Sequence, residues 1–178
     1  MNRTNPHAKV FFALWPADAQ REVLAGWQPT LRAICGGRMM RADSLHCTLV
    51  FLGNVATHRL EALQLAAQEV AAAPFSVTFD RAAYWGHNHI AYAATSMIPF
   101  ELRELVAGLQ SALRRHRFRF EQRDYLPHVT LLRHAKWSDA PLPAMSGVTW
   151  PVSEFVLLQS LPSDAVSHYQ VLARFPLK

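Results

Sequence analysis

Two stretches of the chain place an imidazole and a hydroxyl two residues apart in an apolar run: SLHCTLVFLG at 44–53 and PHVTLLR at 127–133. Alternate side chains of a strand share a face, so His46, Thr48, Val50 and Leu52 are expected on one side and Cys47, Leu49 and Phe51 on the core side. The second run repeats the pattern, with His128, Thr130 and Leu132 on one face and Val129 and Leu131 on the other. Imidazole titrates near neutral pH, and it can take a proton in one state and deliver one in the other. Two imidazoles on opposite walls can divide those tasks around one reacting centre. A hydroxyl beside each can donate a hydrogen bond where negative charge develops. One histidine in an apolar strand is more often a hydrogen-bonded structural residue, so it is the repetition that points to chemistry.

The elements around the two stretches must hold them in place. The histidines are 128 minus 46, or 82, residues apart, too far for a solenoid repeat and suited to two halves of one unit. With 178 residues and 51% hydrophobic content, the chain can bury one sizeable core, and residues 1–178 are expected to form one domain of two pseudo-symmetric lobes. Charged residues are only 17%, and no low-complexity run, linker or membrane-length apolar stretch interrupts the sequence. The opening VFFALW is too short for a secretory signal and reads as a first strand. Two cysteines, Cys35 and Cys47, supply neither a disulfide framework nor a four-cysteine zinc site, so the expected compartment is the cytoplasm.

A net charge of +5 and a pI near 9.7 favour an anionic partner. The densest basic run, Arg114-Arg115-His116-Arg117-Phe118-Arg119-Phe120, with Arg123 behind it, has two readings. It is either the basic end of a helix running on into a strand or a phosphate-tracking surface with interleaved aromatics.

Periodicity gives a strand from Lys9 to Trp15, a helix opened by Pro16 with Leu24, Trp27, Leu31 and Ile34 on one stripe, and a stop at Gly36-Gly37. A short strand near Arg38 to Met40 and the His46 strand follow. Thr57 is placed to cap a helix carrying Leu60, Leu63, Ala67 and Val70. Phe75 to Tyr84 and Ile90 to Thr95 read as a hairpin around GHNH, and Pro99 opens a helix with Leu102, Leu105, Leu109 and Leu113 aligned. After the His128 strand and a proline-containing loop come strands at Glu154 to Leu161 and Tyr169 to Phe175. The class is α+β, with helices on one side of antiparallel-rich sheets and the other side free to form a groove.

These motifs resemble the two-histidine (2H) phosphoesterase superfamily. Within it, LHCTLVFLG, VFFALWP and PHVTLLR are similar to the RNA 2′,3′-cyclic phosphodiesterases, also called 2′-5′ RNA ligases, from about Val10 onward. The resemblance implies a bilobal duplicated fold with a central groove, and hydrolysis of RNA 2′,3′-cyclic phosphate ends to 2′-phosphomonoesters. It also implies His46 as proton donor and His128 as proton acceptor, with Thr48 and Thr130 on the non-bridging oxygens. ATP-independent 2′-5′ ligation would be the same chemistry with a 5′-hydroxyl in place of water. No metal or other cofactor is expected, the partner is RNA with cyclic phosphate ends or cyclic nucleotides, no membrane is involved, and the protein acts as a monomer. The residues themselves leave open which histidine is acid and which base.

Further readings stand beside these. Arg133 is a candidate phosphate contact, although strict alternation points it away from His128 unless the strand bends. Phe11, Trp85 and Tyr169 could stack a base, though strand aromatics are more often core. His87-Asn88-His89 is turn chemistry rather than a metal site. The same four motif residues would serve 2′-5′ oligoadenylates, ADP-ribose 1″,2″-cyclic phosphate or the ends of particular small RNAs. A non-catalytic RNA-end binder is the reading from a different class.

Overall fold

The computed structural model describes residues 6–163 and 167–178. In chain order it contains β1 (His7–Leu14), α1 (Asp18–Cys35), β2 (Arg38–Met39), β3 (Cys47–Ala56), α2 (Leu60–Gln68), β4 (Phe75–Phe79) and β5 (Arg81–Trp85). There follow β6 (Ile90–Ala94), α3 (Phe100–Arg115), β7 (His128–Arg133), β8 (Val148–Val152), β9 (Glu154–Leu161) and β10 (His168–Pro176). The main sheet has the order β10-β9-β1-β3-β7-β6-β5, with β2 attached to β7, while β4 and β8 form a separate ribbon. All of these pairings are antiparallel. The α+β expectation therefore holds.

The two motif strands meet at the seam of that sheet. Among the described residues β3 and β7 pair only through Cys47 and Val129, so β10-β9-β1-β3 and the β7-β6-β5 group with β2 are two sheet halves joined at one point. Helices cross between the halves: α1 packs on β7, β6 and β8, while α3 packs on β3 and α2. Their apolar stripes explain the placement, because Leu24, Trp27 and Leu31 of α1 and Leu102, Leu105, Leu109 and Leu113 of α3 are all buried in one continuous core. Among the described residues, no helix is long and apolar enough to cross a membrane.

Gly36 ends α1 with φ 62°, its N–H donating to the Arg32 carbonyl at 2.8 Å. At Gly37, φ is 88° and a Cβ would stand 2.6 Å from the Arg133 carbonyl oxygen. Glycine is required here both by the left-handed backbone and by the close approach to β7.

Some elements differ from the periodicity reading. Ala42–Ser44 forms a 3₁₀ turn, so β3 starts at Cys47, immediately after His46. Thr57 does not cap α2; it opens a 3₁₀ turn (Thr57–Arg59), and its hydroxyl donates to the Pro6 carbonyl at 3.3 Å. The run from Phe75 to Tyr84 divides at Asp80, whose carboxylate accepts from both the backbone N–H and the hydroxyl of Ser96 at 3.0 Å. That corner sends β4 to the ribbon and leaves β5 to pair with β6. β8 is not expected from the sequence, because Pro151 interrupts it; in the two-stranded ribbon that strand bonds β4 on one edge, and proline is tolerated there.

Candidate active site

The groove over the seam encloses about 480 Å³, and it brings together His46, Thr48, His128, Thr130 and Arg133. The two histidines are held alike. His46 Nδ1–H donates to the Ser44 carbonyl at 2.8 Å, and His128 Nδ1–H donates to the Leu126 carbonyl at 3.0 Å. A carbonyl can only accept, so the proton of the neutral ring is on Nδ1 and the Nε2 lone pair is free for proton transfer.

A bulge after each threonine then re-aims the following side chains. In β3, Ala13 pairs with Thr48 and Phe12 with Val50, leaving Leu49 as the extra residue. Val50 accordingly joins the core, and Phe51, expected on the core face, turns to the groove beside Phe11. In β7, Tyr92 pairs with Thr130 and Ala91 with Leu132, leaving Leu131 extra. Leu131 and Leu132 are both 0% exposed, so Leu132 is core rather than a groove neighbour of His128, and Arg133 is returned to the groove. Strict alternation fails at Arg133 for this reason.

Sequence reasoning missed the residue that fixes this bulge. Gln28 of α1 is 4% exposed, and its Nε2 donates to the carbonyls of Met40 at 2.8 Å and Leu131 at 2.9 Å. The Met40 N–H also donates to the Leu131 carbonyl, at 2.9 Å. A buried amide that satisfies two carbonyls on different segments locks their relative position. The only signal in the sequence is a glutamine beside Trp27 on the apolar stripe.

The aromatic candidates also reach the groove, in two clusters. Around His46 are Phe11 and Tyr169, each with its ring centre 5.0 Å away, and Trp15 at 6.4 Å. Around His128 are Trp85 at 4.6 Å and Tyr92 at 5.7 Å. Phe11, Tyr169 and Trp85 all line the groove.

Groove cations are Arg133 together with Lys9, Arg38 and Arg123. The run from Arg114 to Phe120 is not among its lining residues. Arg115 and His116 instead hold Glu69 at 2.6 and 2.7 Å, and Phe118 is 6% exposed in the core, with the Arg59 guanidinium over its ring. A loop, not a strand, follows α3. The run is a helix end, and its aromatic at 118 is core. Likewise His87-Asn88-His89 lies in the β5–β6 turn. Among the described residues, no three His, Cys, Asp or Glu side chains gather as a metal site.

Burial sets the electrostatics. It pushes the His46 imidazole down to about 4; the Ser44 carbonyl opposes this, and the positive potential of His128, Arg133 and Arg21 adds to the fall. His128 is lowered too, first by burial and then by Arg123 and Arg133, against the pull of the Leu126 carbonyl. In the protein alone both rings are therefore neutral at pH 7, and an anion bound beside them would favour their protonation. Cys47 is no nucleophile: burial pushes its thiol up to about 11.

These shifts predict a pH-dependent stability. Above the ordinary imidazole value of 6.5 both folded and unfolded His46 are neutral, and its contribution is constant. As pH falls from 6.5 towards about 4, the unfolded chain binds a proton that the folded chain does not, and stability is lost. The expected result is a Tm that falls over this window and falls less in His46→Ala; equal slopes for the two proteins would contradict the assignment.

Comparison with known proteins shows which family has this sequence and fold. Residues 14–92 match the family described as LigT like Phosphoesterase. The chain is 33% identical over 172 residues to the RNA 2′,3′-cyclic phosphodiesterase of Escherichia coli (strain K12), covering 95% of this chain and 96% of that protein. It is 27% identical to the RNA 2′,3′-cyclic phosphodiesterase of Thermus thermophilus, covering 96% of this chain and 90% of that one. The crystal structure of E. coli LigT complexed with 3′-AMP superposes with a TM-score of 0.84 at 28% identity, covering 96% of this chain and 98% of that chain. Full-length identity at this level, on the same fold, makes the chain a member of the LigT-like phosphoesterase family.

Proposed function

We propose that the groove hydrolyses RNA 2′,3′-cyclic phosphate ends to 2′-phosphomonoesters by general acid–base catalysis between His46 and His128. The observation that carries this reading is the matched pair of imidazoles, each fixed through Nδ1 with Nε2 free, on the two sides of one basic groove. Neutral His128 accepts the proton of the attacking water. The water oxygen bonds to phosphorus as the bond to the ribose 3′ oxygen breaks, and protonated His46 delivers a proton to that oxygen. The incoming phosphate anion supplies the negative potential that raises His46 from its depressed value and lets it act as the acid. Thr48, Thr130 and Arg133 stabilise the equatorial oxygens as charge builds. A ribose 5′-hydroxyl replacing water would form a 2′-5′ bond without ATP.

Turnover of 2′,3′-cyclic AMP in the presence of EDTA tests the proposal. Activity is expected to survive chelation, because proton transfer by the two imidazoles is sufficient; activity abolished by EDTA and restored by a divalent ion would refute it.

RNA affinity is expected to fall with salt as phosphate contacts release counterions, each lost contact reducing the slope by about one. Lys9→Ala and Arg38→Ala should flatten the dependence, whereas Arg117→Ala with Arg119→Ala should leave it unchanged, since neither of the latter lines the groove. The reverse pattern would return the basic run to the RNA surface.

A further inference from the structure

The groove carries aromatic surface beside both histidines, and hydrolysis needs it beside only one. On the His46 side the apolar cluster of Phe11, Ala13, Val156 and Leu158, extended by Phe51 and Tyr169, is separate from the main core. On the His128 side Ile90, Tyr92 and Ala94, extended by Trp85, form another separate cluster. Trp85 lies against Tyr92 with ring centres 4.0 Å apart, and its indole also lines the groove, next to Asn88. A nucleoside on the leaving side accounts for the first platform. A water molecule on the attacking side has no use for the second.

We propose that Trp85 is the stacking platform of a second nucleoside site, on the His128 side of the phosphate, which takes the nucleoside bearing the attacking 5′-hydroxyl. This rests on the hydrolytic reading above and extends it to substrates with a base on each side of phosphorus. In the joining direction the 5′ oxygen bonds to phosphorus while its proton passes to His128; the bond to the 3′ oxygen breaks, and that oxygen takes a proton from His46. The product is a 2′-5′ phosphodiester, with no oxidant or nucleotide cofactor consumed. In the reverse direction His46 takes the proton of the 3′-hydroxyl, which attacks phosphorus, and His128 protonates the departing 5′ oxygen. Cleavage of a 2′-5′ dinucleotide to a cyclic phosphate and a nucleoside therefore reports on the site.

The test compares 2′-5′-linked ApA, the same dinucleotide lacking the base on its 5′-linked nucleoside, and 2′,3′-cyclic AMP. With the parental enzyme, removing that base is expected to lower kcat/KM by roughly tenfold or more, the worth of one base–aromatic stack. Trp85→Leu should lose at least tenfold more on ApA than on 2′,3′-cyclic AMP and should no longer distinguish ApA from the abasic substrate; Trp85→Phe should recover most of the difference. The substrate comparison needs no variant, so a folding defect in Trp85→Leu cannot mask the answer. No cleavage of ApA, equal turnover of intact and abasic substrates, or equal losses on ApA and cyclic AMP would overturn the proposal and leave Trp85 as a wall of His128. Failure of the hydrolytic reading has a different signature: the parental enzyme would not turn over 2′,3′-cyclic AMP at all.

Discussion

Replacing His46 or His128 by alanine is expected to lower turnover of a cyclic-phosphate RNA by roughly a hundredfold to ten-thousandfold, the usual worth of a positioned proton donor or acceptor. The losses should not multiply. If the two rings work as one proton-transfer unit, removing either already breaks it, so the double variant should fall far less than the product of the single effects. The pH profiles should separate the roles. His46 is held near 4 in the free protein and His128 below its ordinary value, so lowering the pH from 8 raises the fraction with His46 protonated. The free enzyme's kcat/KM is expected to climb towards acid until His128 begins to protonate, giving a maximum below 6.5. His128→Ala should remove the acid-side fall, and His46→Ala should remove the climb. Near-parental turnover in either single variant would take that residue out of the mechanism, and exchanged profiles would reverse the assignment of acid and base.

How much of this was legible in the sequence depends on whether local pattern or long-range pairing decides each feature. The α3 leucines announce themselves because helical spacing alone aligns them, and all four are buried. His46, Thr48, His128 and Thr130 were legible as pairs because alternation holds from each histidine to its threonine. It then fails within one residue. The bulges at Leu49 and Leu131 arise from register against β1 and β6, which no window around either motif contains, and they exchange the faces of Phe51 and Arg133 relative to strict alternation. Gln28 is hidden for the same reason, because its two acceptors lie in β7 and beside β2. Charge misled differently. The Arg114 run is dense in the sequence but set at a helix end, while Lys9, Arg38, Arg123 and Arg133 come from separate segments and converge only in the fold.

The threonines give the second large expected effect. Thr48 and Thr130 both line the groove, and among the described residues neither hydroxyl has a hydrogen-bond partner within the protein or is counted among the buried polar atoms left unpaired. Neither is engaged in holding the fold, so both are available to a substrate oxygen. Their place, two residues beyond each histidine and just before each bulge, puts them in the groove that both rings line, where the proposed reaction would bring the phosphorus-bound oxygens. If they donate there as charge builds, the bond is stronger in the transition state than in the bound ground state, and removing it should reduce kcat more than it weakens binding. Thr48→Val and Thr130→Val keep the β-branched shape that suits the strand and delete only the hydroxyl. Turnover should drop by roughly tenfold to a thousandfold in each, by analogy with the loss of one oxyanion donor. Stability should stay close to parental, because no internal hydrogen bond is lost; a Tm measurement on the same preparations checks that separately. Two folded variants that turn over a cyclic-phosphate RNA at the parental rate would confine the chemistry to the histidines and leave the threonines as strand formers.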